Sequence, residues 1–143
     1  MLFQADITIT SGKTETDPQV EILKIAHGII SKIMVRPRAG HANLAHLAIY
    51  HGSHRIAPSS EDMDLHGEFF PIDWEEYYEF YQPPYELKLV GWNGDDTYAH
   101  TFTVYIVVLP RKAIVAASFS DAIKGILGMI SPRKIFPRKD KEV

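Results

Sequence analysis

Alternating apolar and polar residues mark two long stretches of the chain, at residues 85–92 and 101–109. Each stretch carries apolar side chains at a spacing of two residues, which is the side-chain period of a β-strand. The segment between them contains Asn-Gly-Asp-Asp at residues 93–96, and these residue types favour reversals of the chain. We therefore predict a long antiparallel hairpin, whose apolar face must be covered by other strands because an isolated hairpin is not stable.

Shorter runs predict further strands before this hairpin. They lie at residues 3–9, 20–25, 29–36, 44–51, 54–57, 69–72 and 73–82. The last run is crowded with aromatic and acidic residues, and a short helix that carries Trp74, Tyr78 and Phe80 is the alternative to a strand. About eight short strands separated by turn residues, with no helical period before residue 110, predict an all-β fold. Mixed connection lengths favour an antiparallel eight-stranded β-sandwich of the jelly-roll type, with an immunoglobulin-type sandwich as the alternative.

The pattern changes after residue 110. Six apolar residues follow one stripe of a helix, namely Phe119, Ala122, Ile123, Ile126, Leu127 and Ile130. Ser118 and Asp121 resemble a capping arrangement, and Pro132 ends the run. The sequence thus predicts two parts: a β-sandwich over residues 1–110, and an amphipathic helix followed by an extended basic arm over residues 111–143.

Composition and charge narrow the functional classes. The chain has 143 residues, 45% of them hydrophobic, and no cysteine, so disulfides and thiolate chemistry are excluded. Neither a signal peptide nor an apolar run of membrane-spanning length is visible, and we expect no cleaved export signal and no span. The net charge of -3 is uneven, because residues 1–110 hold seven Lys/Arg and fifteen Asp/Glu, whereas residues 111–143 hold eight and three. The basic tail is either a solvated terminus or a segment that docks onto an acidic surface.

Histidines and acidic residues raise the question of a metal site. Four of the seven histidines lie close together in the sequence, namely His41, His46, His51 and His54. A second set, Asp62, Asp64, His66 and Glu68, occupies alternate positions. His46 and His51 have opposite parity on one strand, and the His-x-His and Glu spacing of a cupin is missing. The alternating set places its side chains on one side, as Ca²⁺ ligands would be, but it lacks the EF-hand spacing. We therefore predict no metal site and a solvated acidic loop at residues 59–67.

Aromatic residues suggest a second kind of site. Trp74, Tyr77, Tyr78 and Trp92 are candidates for stacking on a sugar ligand, although such rings more often fill a core edge or a subunit contact. The sequence has no G-x-S-x-G, no P-loop and no dinucleotide-binding fingerprint. It predicts no catalytic residue, no cofactor and no small-molecule substrate, and hence not an enzyme.

The whole pattern resembles the single jelly-roll virion proteins of bacterial viruses, which include shell-forming, minor capsid and decoration proteins. The resemblance lies in an acidic eight-strand body, an amphipathic helix and a basic arm. It covers residues 1–110, is architectural, and transfers no functional residue. It implies a structural protein of the virion that assembles with copies of itself and with other shell proteins. The alternative location is the cytoplasm.

In this hypothesis the helix and the arm contact neighbouring subunits. The expected contact residues are Phe119, Ile123, Ile126, Leu127, Ile130, Arg133, Lys134, Arg138 and Lys139. Contact of the basic arm with nucleic acid or with a membrane is a less favoured interpretation of its positive charges. The alternative functions are a carbohydrate-binding β-sandwich module and a cupin-like metal-binding protein.

Overall fold

A computed structural model describes residues 1–129 of the chain, with the backbone alone at residues 111–118 and 129. The chain divides into two units, Met1–Leu109 and a second unit that begins at Pro110. Five of the expected contact residues lie outside the described residues: Ile130, Arg133, Lys134, Arg138 and Lys139.

The first unit consists of β-strands. They are β1 (Leu2–Ile9), β2 (Gln19–Lys24), β3 (Gly28–Pro37), β4 (Ala45–His51), β5 (His54–Ala57), β6 (Leu65–His66), β7 (Ile72–Phe80), β8 (Glu86–Asn93) and β9 (His100–Leu109). One sheet has the order β1-β9-β3-β7, and the other has the order β2-β8-β4-β5 with β6 paired to β4. All pairings are antiparallel. The prediction of a mostly β protein with antiparallel sheets is confirmed.

The core lies between the two sheets and follows the alternation in the sequence. On β8, Leu87 and Leu89 are fully buried, and on β9 every second residue from Phe102 to Val108 is fully buried. These side chains belong to one buried cluster, to which every other strand also contributes at least one residue. The inner faces of the strands therefore carry the apolar half of each alternating pattern.

The predicted hairpin between residues 85 and 109 is wrong, because β8 and β9 lie in different sheets. Their two apolar faces meet across the core instead of forming one continuous face. The connection after Asn93 is held by side-chain to backbone hydrogen bonds: Asn93 Oδ1 accepts from Asp95 N, and Asp95 Oδ1 accepts from the backbone N–H groups of Thr97 and Tyr98. Asn and Asp thus stabilise a crossing loop here and not a tight turn.

The region before β7 also differs from the prediction. Residues 69–71 do not form a strand, since Phe69 has a φ of 65° and the backbone N–H of Phe70 donates to Glu68 O. Residues 72–80 form a strand and not the alternative short helix, with Trp74, Glu76, Tyr78 and Phe80 less exposed than their neighbours. The acidic loop contains the two-residue strand β6, which was not predicted. The described residues form nine strands, where about eight were predicted.

The second unit contains α1 (Arg111–Met129), a helix of 19 residues. It begins seven residues before the predicted capping residue Ser118. Pro110 has no backbone donor with which to extend β9, and the residues that follow it include alanines with high helix propensity. Within the described part of the chain, no helix combines the length and the hydrophobicity needed to span a membrane.

Candidate functional site

The four aromatic residues proposed for ligand stacking do not form one surface. Trp74 and Tyr78 lie on the inner side of β7 and pack against the core. Tyr77 faces the opposite side of the same strand and is 63% exposed. Trp92 lies on β8, in the other sheet. The structure therefore leaves these rings at three separate places.

The four candidate histidines are also dispersed. His51 contacts the Tyr78 hydroxyl through Nδ1 (2.9 Å) and donates through Nε2 to Pro84 O (3.1 Å). The His54 ring stacks on the ring of the same tyrosine, Tyr78, with 5.9 Å between centroids. Near the turn between β4 and β5, His51 therefore packs and forms hydrogen bonds, and His54 packs against a tyrosine ring.

His41 is buried in the turn before β4. Its Nε2 donates to Thr101 O (2.9 Å), and its ring lies against His100 and Phe102 at 4.9 and 4.7 Å between centroids. Burial, and next the proximity of His100, lower the pKa of His41. His41 is therefore a neutral structural residue at neutral pH, and it lies apart from His46.

One group of potential ligands does converge, and it combines residues from two predicted sets. The antiparallel pairing of β4 with β6 places His46 opposite His66. Asp64 immediately precedes β6, and its Oδ1 accepts hydrogen bonds from Nδ1 of both histidines, each 2.8 Å long. The three donor atoms lie within 4.8 Å of one another, and no other such group of three is found among the described residues. We call these three residues the His46–Asp64–His66 cluster.

Neighbouring side chains hold the cluster in place. The Trp92 ring stacks on the His46 ring with an interplanar angle of 10° and 5.6 Å between centroids. Arg55 on β5 donates to the carbonyl oxygens of Glu61 (2.8 Å) and Met63. The guanidinium group thereby fastens the acidic loop, which carries Asp64, to the edge of the five-stranded sheet.

The environment of the cluster is anionic. Burial raises the pKa of the Asp64 carboxyl, but the hydrogen bonds from His46 and His66 outweigh this and leave the pKa below its ordinary value. Asp64 is therefore a carboxylate at neutral pH. A cavity of about 300 Å³ adjoins the cluster. It is lined by Glu15, Arg55, Glu61, Asp62, Met63, Asp64 and Trp92.

Sequence reasoning missed this cluster because it treated the histidines and the acidic loop as separate sets. The alternation of Asp64 and His66 correctly indicated that their side chains share one side. The position of His46 beside them depends on β6, which is only two residues long and gives no recognisable strand pattern.

Comparisons of the chain with protein-family models, with curated proteins and with solved structures gave no match.

The expected contact residues on α1 are accessible to solvent. The exposed fractions of Phe119, Ile123, Ile126 and Leu127 are 67, 40, 56 and 64%. These four residues are called the α1 stripe below. Their spacing of four, three and one residues places them on one side of the helix.

Proposed function

We propose that this protein is a non-enzymatic structural protein that assembles with copies of itself, as a component or decoration of a larger shell such as a virion. The contact is made by its C-terminal part, and the partner of the α1 stripe is a second copy of the chain. The exposed α1 stripe is the observation that carries the proposal.

The sandwich has the jelly-roll connectivity in this proposal. The support is the pairing of strands from the two ends of the chain inward. β1 pairs with β9, β2 with β8, β3 with β7, and β4 with β5. This is the pattern of one long hairpin wound into two sheets, and jelly rolls are used by viral capsid proteins among others. The fold alone does not assign a function, and the surface of the protein supplies the further support.

The α1 stripe is an apolar surface that a partner can cover. Burial of a large apolar side chain stabilises a contact by about 1.5–3 kcal/mol. Four such side chains on one side of a helix are enough to anchor an interface, whose core is usually apolar. Gly125 and Gly128, on the other side, each weaken an isolated helix by up to about 1 kcal/mol relative to alanine. A partner surface would therefore stabilise α1 itself.

Charge supports a second copy as the partner. Residues 1–110 have an excess of eight negative charges, and residues 111–143 an excess of five positive charges. On β7, an edge strand, Asp73, Glu75 and Glu79 are exposed on one face beside Tyr77. The acidic first part of one copy can attract the basic C-terminal part of another. A C-terminal part bound along β7 would also cover this sheet edge and prevent uncontrolled pairing with other strands.

We expect the double substitution Ile123→Asp/Leu127→Asp in the full chain to dissociate the assembly. Removing two buried apolar contacts and adding two charges should raise the dissociation constant by at least about 100-fold. Size-exclusion chromatography with light scattering over a range of protein concentrations measures this change.

The matched control is Gly125→Asp/Gly128→Asp. It adds the same two charges on the opposite side of α1, where a new Cβ meets no atom within 4 Å. This variant should keep the mass of the unaltered protein. A stripe variant that assembles as well as the control would contradict the proposed contact, as would an unaltered chain that is monomeric at every concentration.

A further inference from the structure

We propose that the His46–Asp64–His66 cluster is a binding site for a divalent transition-metal ion of the Zn²⁺ type. The proposal does not depend on assembly, because all three ligands belong to one chain and lie on the sandwich.

The donor set selects the class of ion. Two imidazole nitrogens and one carboxylate oxygen are ligands that Zn²⁺ uses commonly in proteins. Ca²⁺ and Mg²⁺ prefer shells made of oxygen atoms, so the two histidines disfavour them. The carboxylate form of Asp64 supplies one negative charge, and the acidic lining of the adjoining cavity favours the approach of a cation.

The geometry is close to that of a bound ion. Zn–N and Zn–O bonds of about 2.0–2.1 Å in a tetrahedral site place two ligand atoms about 3.3 Å apart. The present distances from Asp64 Oδ1 to the two Nδ1 atoms are 2.8 Å. An ion bound to both Nδ1 atoms requires each imidazole to carry its proton on Nε2, and it requires Asp64 Oδ1 to move only about 0.5 Å away from each Nδ1 atom.

The supporting residues favour the same arrangement. Trp92 fixes the plane of the His46 ring, and the pairing of β4 with β6 fixes the separation of the two histidines. Arg55 holds the loop that carries Asp64. Three protein ligands leave a coordination position for water, as in many zinc sites. An ion bound here would fasten the acidic loop to β4 more tightly than the two hydrogen bonds do.

The test uses the purified full chain, treated with a chelator and then titrated with ZnCl₂ by calorimetry. We expect one Zn²⁺ per chain. Asp64→Asn and His66→Asn should each weaken binding by at least about tenfold, since each removes a direct ligand and even changes outside the ligand set cost that much. His27→Asn removes an exposed histidine from a different turn and should leave the affinity unchanged.

A spectroscopic measurement on the unaltered protein makes the test independent of how the variants fold. Addition of Zn²⁺ should shift the ring nitrogen signals of two of the seven histidines, and Co²⁺ should give the strong visible absorption of a four-coordinate site. Binding below one equivalent, shifts at other histidines, or equal affinities for the unaltered and Asp64→Asn proteins would overturn the proposal. In that case the cluster is only a carboxylate that accepts two hydrogen bonds.

Discussion

Replacing Phe80 with alanine should lower the free energy of unfolding by about 3–5 kcal/mol, the usual cost of deleting a fully buried aromatic side chain. Phe80 ends β7 and has no exposed surface. Its ring lies against those of His51, Tyr85 and Tyr78, with centroids 4.4, 6.0 and 6.4 Å away. The lost stability has two parts: the hydrophobic free energy of burying the deleted ring, and the cost of the cavity left among these three rings.

Glu79→Ala is the matched control for this prediction. Glu79 precedes Phe80 on the same strand but faces solvent, and surface substitutions usually change stability by less than about 0.5 kcal/mol. Urea unfolding of both variants measures the two effects. Similar losses for both residues would contradict the alternation of β7, and with it the strand that replaces the alternative short helix.

Replacing Gly28 with alanine should cost about 3 kcal/mol or more, because backbone strain and a steric clash coincide. Gly28 has a φ of 155°, and a Cβ built there would lie 2.5 Å from Leu109 O and 2.7 Å from Val108 Cγ1. A carbonyl oxygen in a strand cannot rotate away from the new methyl group. The pairing at the start of β3 with the end of β9 must therefore loosen.

Gly12→Ala separates the two causes. Gly12 has a φ of 78° but no atom within 4 Å of a new Cβ. It should show only the conformational cost, about 1–2 kcal/mol. Thermal unfolding of the two variants gives the comparison. Equal losses would contradict the close approach of β3 and β9 at Gly28, where a Cβ would lie 2.5 Å from Leu109 O.

The alternation of apolar residues predicted most of the strands, but it did not predict which strands pair with each other in the two sheets. It marks which side of a strand faces the core, as for Leu87, Leu89 and Phe102, all fully buried. It contains no information about which strand lies beside which. The Asn-Gly-Asp-Asp segment after β8 favours any compact reversal, and here the chain crosses to the opposite sheet. Hydrogen bonds to the backbone suit both outcomes, so the hairpin was a reasonable but incorrect prediction.

Residues 69–72 show that residue composition alone can predict a strand incorrectly. Two adjacent phenylalanines predict a strand by composition, yet Phe69 and Phe70 are 54 and 76% exposed, and Phe69 adopts a left-handed backbone conformation. Such a conformation is rare for an aromatic residue. Composition cannot reveal it.

The sequence indicated only part of the candidate metal site. Asp64 and His66 share one side of an extended segment, as their spacing predicts. His46 and His51 have opposite parity on β4, and they contact different partners, Asp64 and Tyr78. The third ligand comes from β4 through a pairing of two residues. A contact between positions 46 and 66 depends on tertiary structure, which a single sequence does not display.

The native mass of the full chain, compared with that of residues 1–110 at low and at high salt, tests assembly through the C-terminal part most directly. We predict that the full chain forms a multiple of its 16.2 kDa subunit, and that residues 1–110 remain folded by circular dichroism but are monomeric. High salt should weaken the assembly without abolishing it, because salt screens charge pairs but not apolar contacts. A fragment that keeps the mass of the intact assembly, or a full chain that is monomeric under all these conditions, would contradict the account.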